Sequence, residues 1–299
     1  MKIKIGTRGS KLALLQTNSI KELIEKNNPN VECEIIVIKT KGDIDLKNPI
    51  HKVGKGIFVK EIEEALFNKD IDLAVHSMKD MPSEITEGLV FLDPPNAEDA
   101  RDAIVLNKKI QILSELNNKT LGTGSLRRIL QLETMLPGVK FTSVRGNIQT
   151  RMSKINDVSL YGVVLAMAGL KRCGYEERAS YIFSTDEIVP AVCQGILAVE
   201  AREDDMEIKK VCESFRDEKT KIRMNIERAF QTTLDAGCHS PMGAYAEVDL
   251  KTEIVTIKGC YGVVDKGILV RKSVITDINS GVVAAKKLAL DLKEVCNDK

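Results

Sequence analysis

The 299-residue chain has no Trp, only three His and 4% aromatic residues. It therefore lacks the stacking rings on which single-stranded nucleic acid is usually held. It also lacks a charge of one sign: 44 Lys and Arg stand against 43 Asp and Glu, a formal net of +1, without the basic excess of a nucleic-acid binder. No run approaches the ~20 consecutive apolar residues of a membrane helix. The opening Met1-Lys2-Ile3-Lys4-Ile5-Gly6 brings charge and a turn residue too early for the apolar core of a signal peptide. The seven Cys (Cys33, Cys173, Cys193, Cys212, Cys238, Cys260 and Cys296) are odd in number and widely spaced, with no C-x-x-C pair. That spacing argues against a disulfide framework or a Cys-based zinc site and predicts reduced thiols in the cytoplasm. His51, His76 and His239 lie far apart, so no metal site is expected.

What is present is apolar material for buried cores: hydrophobic residues make up 43% of the chain and charged residues 29%. At roughly 150 residues per domain the length predicts two domains, or three small ones. The near-zero total hides an asymmetry. Residues 101–178 carry 13 Lys and Arg, seven of them Arg, against six Asp and Glu, a net of +7. Only 13 Arg occur in the whole chain, so over half fall in this quarter of it. The planar fork of Arg binds carboxylate or phosphate bidentately where Lys offers a point charge. A small anionic ligand held by the middle segment is one reading; a solvated basic face is the other.

Hydrophobic periodicity predicts strands at 2–6, 31–40, 71–75 and 89–92 and helices at 10–27 and 56–68, with a soft polar loop at 42–56. Pro94-Pro95 marks a break. Alternation resumes with strands at 103–106, 120–123, 140–144 and 162–166 and helices at 125–135, 147–155 and 167–173. A strand at 196–200 and a helix at 204–215 follow. Such alternation predicts parallel strands covered by helices. After residue 217 a helix at 220–235, strands at 244–248, 254–259 and 268–275 and a helix at 282–295 read as a small α+β unit.

Two glycine-bearing turns echo one another. Ile5-Gly6-Thr7-Arg8-Gly9-Ser10 and Leu121-Gly122-Thr123-Gly124-Ser125 each end a strand and open a helix with Ser at the capping position, where free N–H groups and the helix dipole favour anions. The second has Arg127 where a dinucleotide fingerprint wants its third Gly, and no P-loop exists. Val75-His76-Ser77-Met78-Lys79-Asp80-Met81-Pro82 packs polar and ionisable groups at a strand end, with Asp80 placed to stabilise a developing cation or simply to close a polar turn. Arg145 and Arg151 flank a helix start; with Arg127, Arg128 and the Lys171-Arg172 pair they are expected to line one rim, suited to a ligand with several carboxylates. Cys238 sits in a Gly- and Pro-containing loop, where a buried inert thiol is the ordinary expectation.

The segments around His76–Pro82 and Gly122–Arg128, with Val144-Arg145-Gly146-Asn147-Ile148-Gln149-Thr150-Arg151 and Gly237-Cys238-His239-Ser240-Pro241-Met242-Gly243, closely resemble the hydroxymethylbilane synthase (porphobilinogen deaminase) family. Gly6-Thr7-Arg8-Gly9-Ser10, Gly54-Lys55-Gly56-Ile57-Phe58-Val59-Lys60-Glu61 and Leu165-Ala166-Met167-Ala168-Gly169-Leu170-Lys171-Arg172 match it as well. The motifs keep the family's order from residue 3 to about 243 and together are highly specific. The resemblance implies an enzyme, a transferase that joins four porphobilinogen molecules head to tail with loss of ammonia and then releases hydroxymethylbilane. It implies a dipyrromethane cofactor on a thioether at Cys238 and an α/β fold of three domains. Two would be periplasmic-binding-protein-like lobes facing a cleft, 1–96 with 196–216 and 97–195, and the third an α+β domain at 217–299.

By the same resemblance Asp80 is the catalytic carboxylate, stabilising the azafulvenium cation left when ammonia departs. Arg8, Ser10, Lys79, Asp80, Thr123, Ser125, Arg127, Arg128, Arg145, Gly146, Arg151 and Arg172 would bind the cofactor. Arg8, Ser10, Gln16, Lys55, Phe58, Arg145, Arg151, Arg172 and Gln194 would bind substrate, and 42–56 would be a lid that excludes water. A six-ring chain brings twelve carboxylates into one cleft, which accounts for the +7 segment. The expected partner is porphobilinogen alone, with no nucleic acid and no membrane, for a cytoplasmic monomer. Two positions depart from the family: Cys193 and Ala236 stand where Gly is usual, and Cys193 is a second thiol open to oxidation. A two-lobed polycarboxylate-binding protein would share the lobes and the arginines, but should carry an export signal, which is missing, and would not need a third domain with Cys238. An acyl or phosphoryl transferase using the glycine turns lacks a nucleotide motif.

Overall fold

Residues 1–40, 59–107, 110, 112–156, 160–234 and 241–298 are described by the computed structural model. The expected lid at 42–56, Lys55, Phe58, Ala236 and Cys238 lie outside them. The chain divides into two compact units, Met1–Ala97 with Ile196–Lys221 and Glu98–Gly195 with Ile222–Lys299.

In the first unit β1 (Lys2–Thr7) leads to α1 (Lys11–Asn27), β2 (Glu32–Val37), α2 (Lys60–Phe67), β3 (Leu73–Ser77) and β4 (Leu89–Phe91); β10 (Leu197–Arg202) and α6 (Met206–Cys212) join later. Ser10 starts α1 as its N-cap, its hydroxyl accepting the Ala13 N–H at 3.3 Å, which satisfies one of the orphan donors of a helix start. The strand order is β2-β1-β3-β10-β4. Alternation puts Ile3, Ile5, Leu73, Val75, Leu197 and Val199 on the α1 face with Ile20 and Ile24. Ala74 faces the other way onto Ile62, Leu66 and Leu89. A sheet covered on both faces reads as continuous apolar strands, as β3 and β10 do in Leu73–Val75 and Leu197–Val199, whereas β1 and β2 alternate charged and apolar residues at their starts.

The second unit holds β5 (Asp102–Leu106), β6 (Thr120–Gly122), α3 (Leu126–Met135), β7 (Lys140–Thr142), α4 (Ile148–Ser153), β8 (Gly162–Ala166), α5 (Met167–Arg172) and β9 (Ala179–Ile182), in the order β7-β6-β8-β5-β9. The parallel expectation holds for β1 with β2 and β3, and for β6 with β7 and β8. It fails for β10, antiparallel to β3 and β4, and for β5, antiparallel to β8 and β9. β10 enters its sheet from the other unit at Gly195, not through a crossover helix, so the rule for βαβ connections does not apply to it. Short, half-buried β9 carries an Ala-Ser-Tyr-Ile sequence without the β-branched run that signals a strand.

The chain continues through α7 (Glu218–Leu234), β11 (Met242–Asp249), β12 (Ile254–Val263), β13 (Ile268–Asp277) and α8 (Gly281–Asp298), giving an antiparallel β11-β12-β13 sheet. Phe230 of α7 and Leu288 and Leu292 of α8 close over Gly259 of β12. Among the described residues no helix is long and apolar enough to cross a membrane.

The turn at 191–195 has two residues in left-handed backbone, Cys193 (φ 56°) and Gly195 (φ 93°), which accounts for a glycine preference at position 193. Cys193 is 1% exposed, and burial pushes its thiol pKa far up, so the oxidation expected from the sequence has no access. A Cβ on Gly195 would lie 2.2 Å from the Glu98 carbonyl oxygen. Gly195→Ala should therefore cost about 2 kcal/mol or more. In Cys193→Gly, relief of about 1 kcal/mol of left-handed strain offsets lost thiol burial, leaving stability within about 1 kcal/mol. Urea unfolding measures both; a Gly195→Ala cost under about 0.5 kcal/mol would refute the close approach.

Candidate active site

In the first unit the residues singled out from sequence gather where β1 and β3 end. Half-buried Arg8 follows β1, and Ser10 spends its hydroxyl on the helix start. Gln16 is buried on α1, and its Nε2 donates to the Ser77 hydroxyl at 2.9 Å, tying the helix to the end of β3. There the chain makes a single 3-10 turn, Met78–Asp80. The Met78 N–H donates to the Ile196 carbonyl at 3.0 Å and the Met81 N–H to the Met78 carbonyl at 3.1 Å. Met78 and Met81 are each 1% exposed and anchor the turn, which lifts Asp80 into solvent with Lys79 half-buried beside it.

One strand position before Ser77, His76 places Nε2 3.3 Å from Glu200 Oε2 on β10, with both side chains buried. Among the described residues neither Glu200 oxygen has a hydrogen-bond partner. Glu63 of α2 titrates above the ordinary carboxylate range, through burial first and the Glu200 charge second.

In the second unit the arginines separate into two kinds, not one rim. Arg127 and Arg128, at the start of α3, are 4% and 6% exposed and converge on Asp102 at the head of β5. Arg127 Nη1 donates to Asp102 Oδ2 and to the Val189 carbonyl, each at 2.8 Å. Arg128 Nε and Nη2 donate to Asp102 Oδ1 at 3.1 and 2.7 Å, and its Nη1 to the Val164 carbonyl at 2.9 Å. Gln194 completes the group, its Nε2 donating to Asp102 Oδ1 at 2.9 Å and to the Ala100 carbonyl at 2.6 Å. Burial alone would raise the Asp102 pKa; the two guanidinium charges outweigh it and hold the carboxyl well below the usual range.

Beside this buried group are the more open ones. Thr123 is buried and its hydroxyl accepts the Ser125 N–H at 3.2 Å; Ser125 is the N-cap of α3, with no side-chain cap bond among the described residues. Arg145 is exposed. Gly146 follows at φ 107°, a left-handed conformation in which a Cβ would meet Thr150 at 2.7 Å. That turn lets Arg151 Nε reach back to the Gly146 carbonyl at 2.7 Å while Asn147 caps α4 through the Thr150 N–H at 2.8 Å. Arg172 Nη2 donates to the Gly195 carbonyl at 2.7 Å, and burial lowers its pKa to about 10, which leaves it a cation at neutral pH.

Sequence reasoning missed Asp102, Glu200, Arg223 and Glu227. Asp102 heads an apolar strand inside the most basic segment, and Glu200 interrupts Leu-Ala-Val-Glu-Ala. Arg223 and Glu227 stand one turn apart on the face of α7 that carries Ile226 and Phe230. An acid on an apolar face is the signal available for such buried pairs.

Residues 3–210 match the family model "Porphobilinogen deaminase, dipyromethane cofactor binding domain", and residues 221–294 match "Porphobilinogen deaminase, C-terminal domain". A porphobilinogen deaminase of Clostridioides difficile (strain 630) is 41% identical over 300 residues, covering 99% of both chains. One of Syntrophus aciditrophicus (strain SB) is 40% identical over 96% of this chain and 94% of its own. Among solved structures, the methionine-binding protein MetQ is 14% identical with a TM-score of 0.45, over 73% of this chain and 91% of its own. A YaeC-family lipoprotein from Enterococcus faecalis V583 has a TM-score of 0.43 at 14% identity, over 73% and 93%.

The folded pKa of Asp102 lies below its unfolded value, near 3.9. Its stabilisation is therefore complete above about pH 5 and lost as pH falls below about 4. Asp102→Asn leaves two guanidinium groups buried without a counter-charge and is expected to cost about 3–5 kcal/mol at pH 7. In urea titrations the gap to wild type should narrow below about pH 4. A gap that stayed constant to pH 3 would mean the pKa is not depressed.

Proposed function

The chain belongs to the porphobilinogen deaminase family, and from that premise we propose how its own residues divide the work. It is a transferase that condenses four porphobilinogen molecules stepwise, with loss of ammonia, onto a covalently bound dipyrromethane primer and releases hydroxymethylbilane. When bound, the cofactor supplies the pyrrole carbon to which the first substrate is joined, and carries the growing chain.

Dipyrromethane presents carboxylate arms, and the donor set suits it: guanidinium groups at strand ends and a helix start, α3, whose Ser125 makes no side-chain cap. Cys238, outside the described residues, is the attachment point in this reading. Arg8, Arg145, Arg151 and Arg172 bind acid arms, with Ser10, Lys55, Lys79, Thr123 and Ser125 as further donors and Gln16, Phe58 and Gln194 beside the substrate. Asp102 sets where the forks of Arg127 and Arg128 point. Among the described residues Arg127 donates through Nη1, and its Nε and Nη2 edge is the one assigned here to a cofactor carboxylate.

Asp80 stabilises the positive charge that develops on the substrate as ammonia leaves, and holds the pyrrole N–H proton while the new bond forms. The observation that carries this role is its carboxylate, exposed on a turn that two buried methionines hold still; a preorganised charge needs little rearrangement when the reaction charge appears. The division into three domains, 1–96 with 196–216, 97–195 and 217–299, belongs to the same reading. So does a cytoplasmic monomer acting on a small molecule without nucleic-acid or membrane partner, supported by the formal charge of +1.

Intact-protein mass should exceed the sequence mass by two linked pyrrole units, an excess that Cys238→Ser abolishes. Asp80→Asn should keep the adduct while turnover falls by about 10²-fold or more. Near-normal turnover in Asp80→Asn would remove it from its role.

A further inference from the structure

Glu227 is fully buried on α7, about two turns before the helix ends at Leu234. Its carboxylate serves three segments at once. Oε2 accepts the Cys193 N–H at 2.5 Å, while Oε1 accepts Arg223 Nε at 2.6 Å and the Ala246 N–H of β11 at 3.0 Å. Arg223 repeats the pattern: its Nη2 donates to the Gln194 carbonyl at 2.8 Å, and its guanidinium lies 4.8 Å from the centre of the Tyr245 ring. An ion pair needs only its two partners. Here each partner also grips both the 193–194 turn and β11 at 245–246.

Charge-assisted hydrogen bonds in a site closed to water are strong and directional. α7 at Glu227 and β11 at Ala246 are thereby held to one another and to the turn, and through Gln194 Nε2 to Asp102. In the sequence, residues 235–241 connect these two elements.

We infer that Glu227, with Arg223, is a positioning residue for cofactor attachment: its carboxylate ties together the helix and the strand between which Cys238 lies in the sequence. The inference rests on the reading that Cys238 carries the cofactor. It assigns the pair to attachment and not to the later additions, which depend on Asp80 and the open arginines.

The test loads the full-length apo chain with porphobilinogen and follows by intact mass the gain of two pyrrole units, with elongation measured separately on protein already loaded. Glu227→Gln sets an amide donor against the Cys193 N–H and retains an oxygen for Ala246. Loading should slow by about ten-fold or more, while elongation per loaded chain stays within about three-fold and the fold is kept by circular dichroism and thermal unfolding. The double variant Arg223→Met, Glu227→Gln leaves no buried charge unpaired and should show the same split. Cys193→Gly keeps the N–H and should load at the wild-type rate.

Wild-type loading in Glu227→Gln, a parallel fall of loading and elongation, slow loading in Cys193→Gly, or failure of both Glu227 variants to fold would each overturn the inference. Failure of the underlying reading looks different: the wild-type chain would take up no adduct, or Cys238→Ser would still carry one.

Discussion

Asp102 is a carboxylate taken wholly out of water, and it stays charged only because two guanidinium groups and an amide close on it. Most of the second unit is arranged by that requirement. Arg127 and Arg128 begin α3, Asp102 begins β5, and Gln194 arrives from the turn that ends the unit, so one charge fixes a helix, a strand and a connection. Removing such a charge from water costs several kcal/mol, which only well-placed counter-charges and hydrogen bonds recover. The same solution recurs at Glu227, with Arg223 and two backbone N–H groups. The interior of the second unit is thus ordered by buried acids.

This divides the arginines by what surrounds them. Those on Asp102 have spent much of their donor capacity on the protein and define geometry. Arg145 is exposed and Arg151 and Arg172 are half-buried, so these three keep a face toward solvent. Arg172 shows the intermediate state: burial lowers its pKa to about 10 without discharging it at neutral pH. In the first unit the order is reversed, with apolar anchors at Met78 and Met81 and the charge of Asp80 left outside. A rigid turn with one exposed carboxylate suits a group that must meet positive charge during a reaction and release it afterwards.

Much of this was legible along the chain. Apolar periodicity marked nearly every strand and helix to within a few residues, and the serines at helix starts marked Ser10 and Ser125 as caps. The strand at 179–182 was not legible, because four residues without β-branched enrichment carry too little pattern. Strand direction at β5 and β10 was not legible either, since side-chain alternation is the same whichever way a strand runs. Of the five arginines expected on one rim, residue type and position at strand ends were plain, but not that the forks of Arg127 and Arg128 would be occupied from within. Nothing in the residues around Arg127 names Asp102 as its partner, 25 positions away.

The sequence by itself determined the family, the two glycine turns, the carboxylate at 80 and the cysteine at 238, because these are matters of residue type and local order. Only the tertiary structure decided that Arg127 and Arg128 share a buried acid, that Cys193 occupies a left-handed turn beyond the reach of oxidants, and that Glu227 ties α7 to β11. The physical reason is that the energy of a charge depends on which groups surround it in space. Those groups are brought in from distant segments by hydrophobic packing that any apolar residue of suitable size can provide.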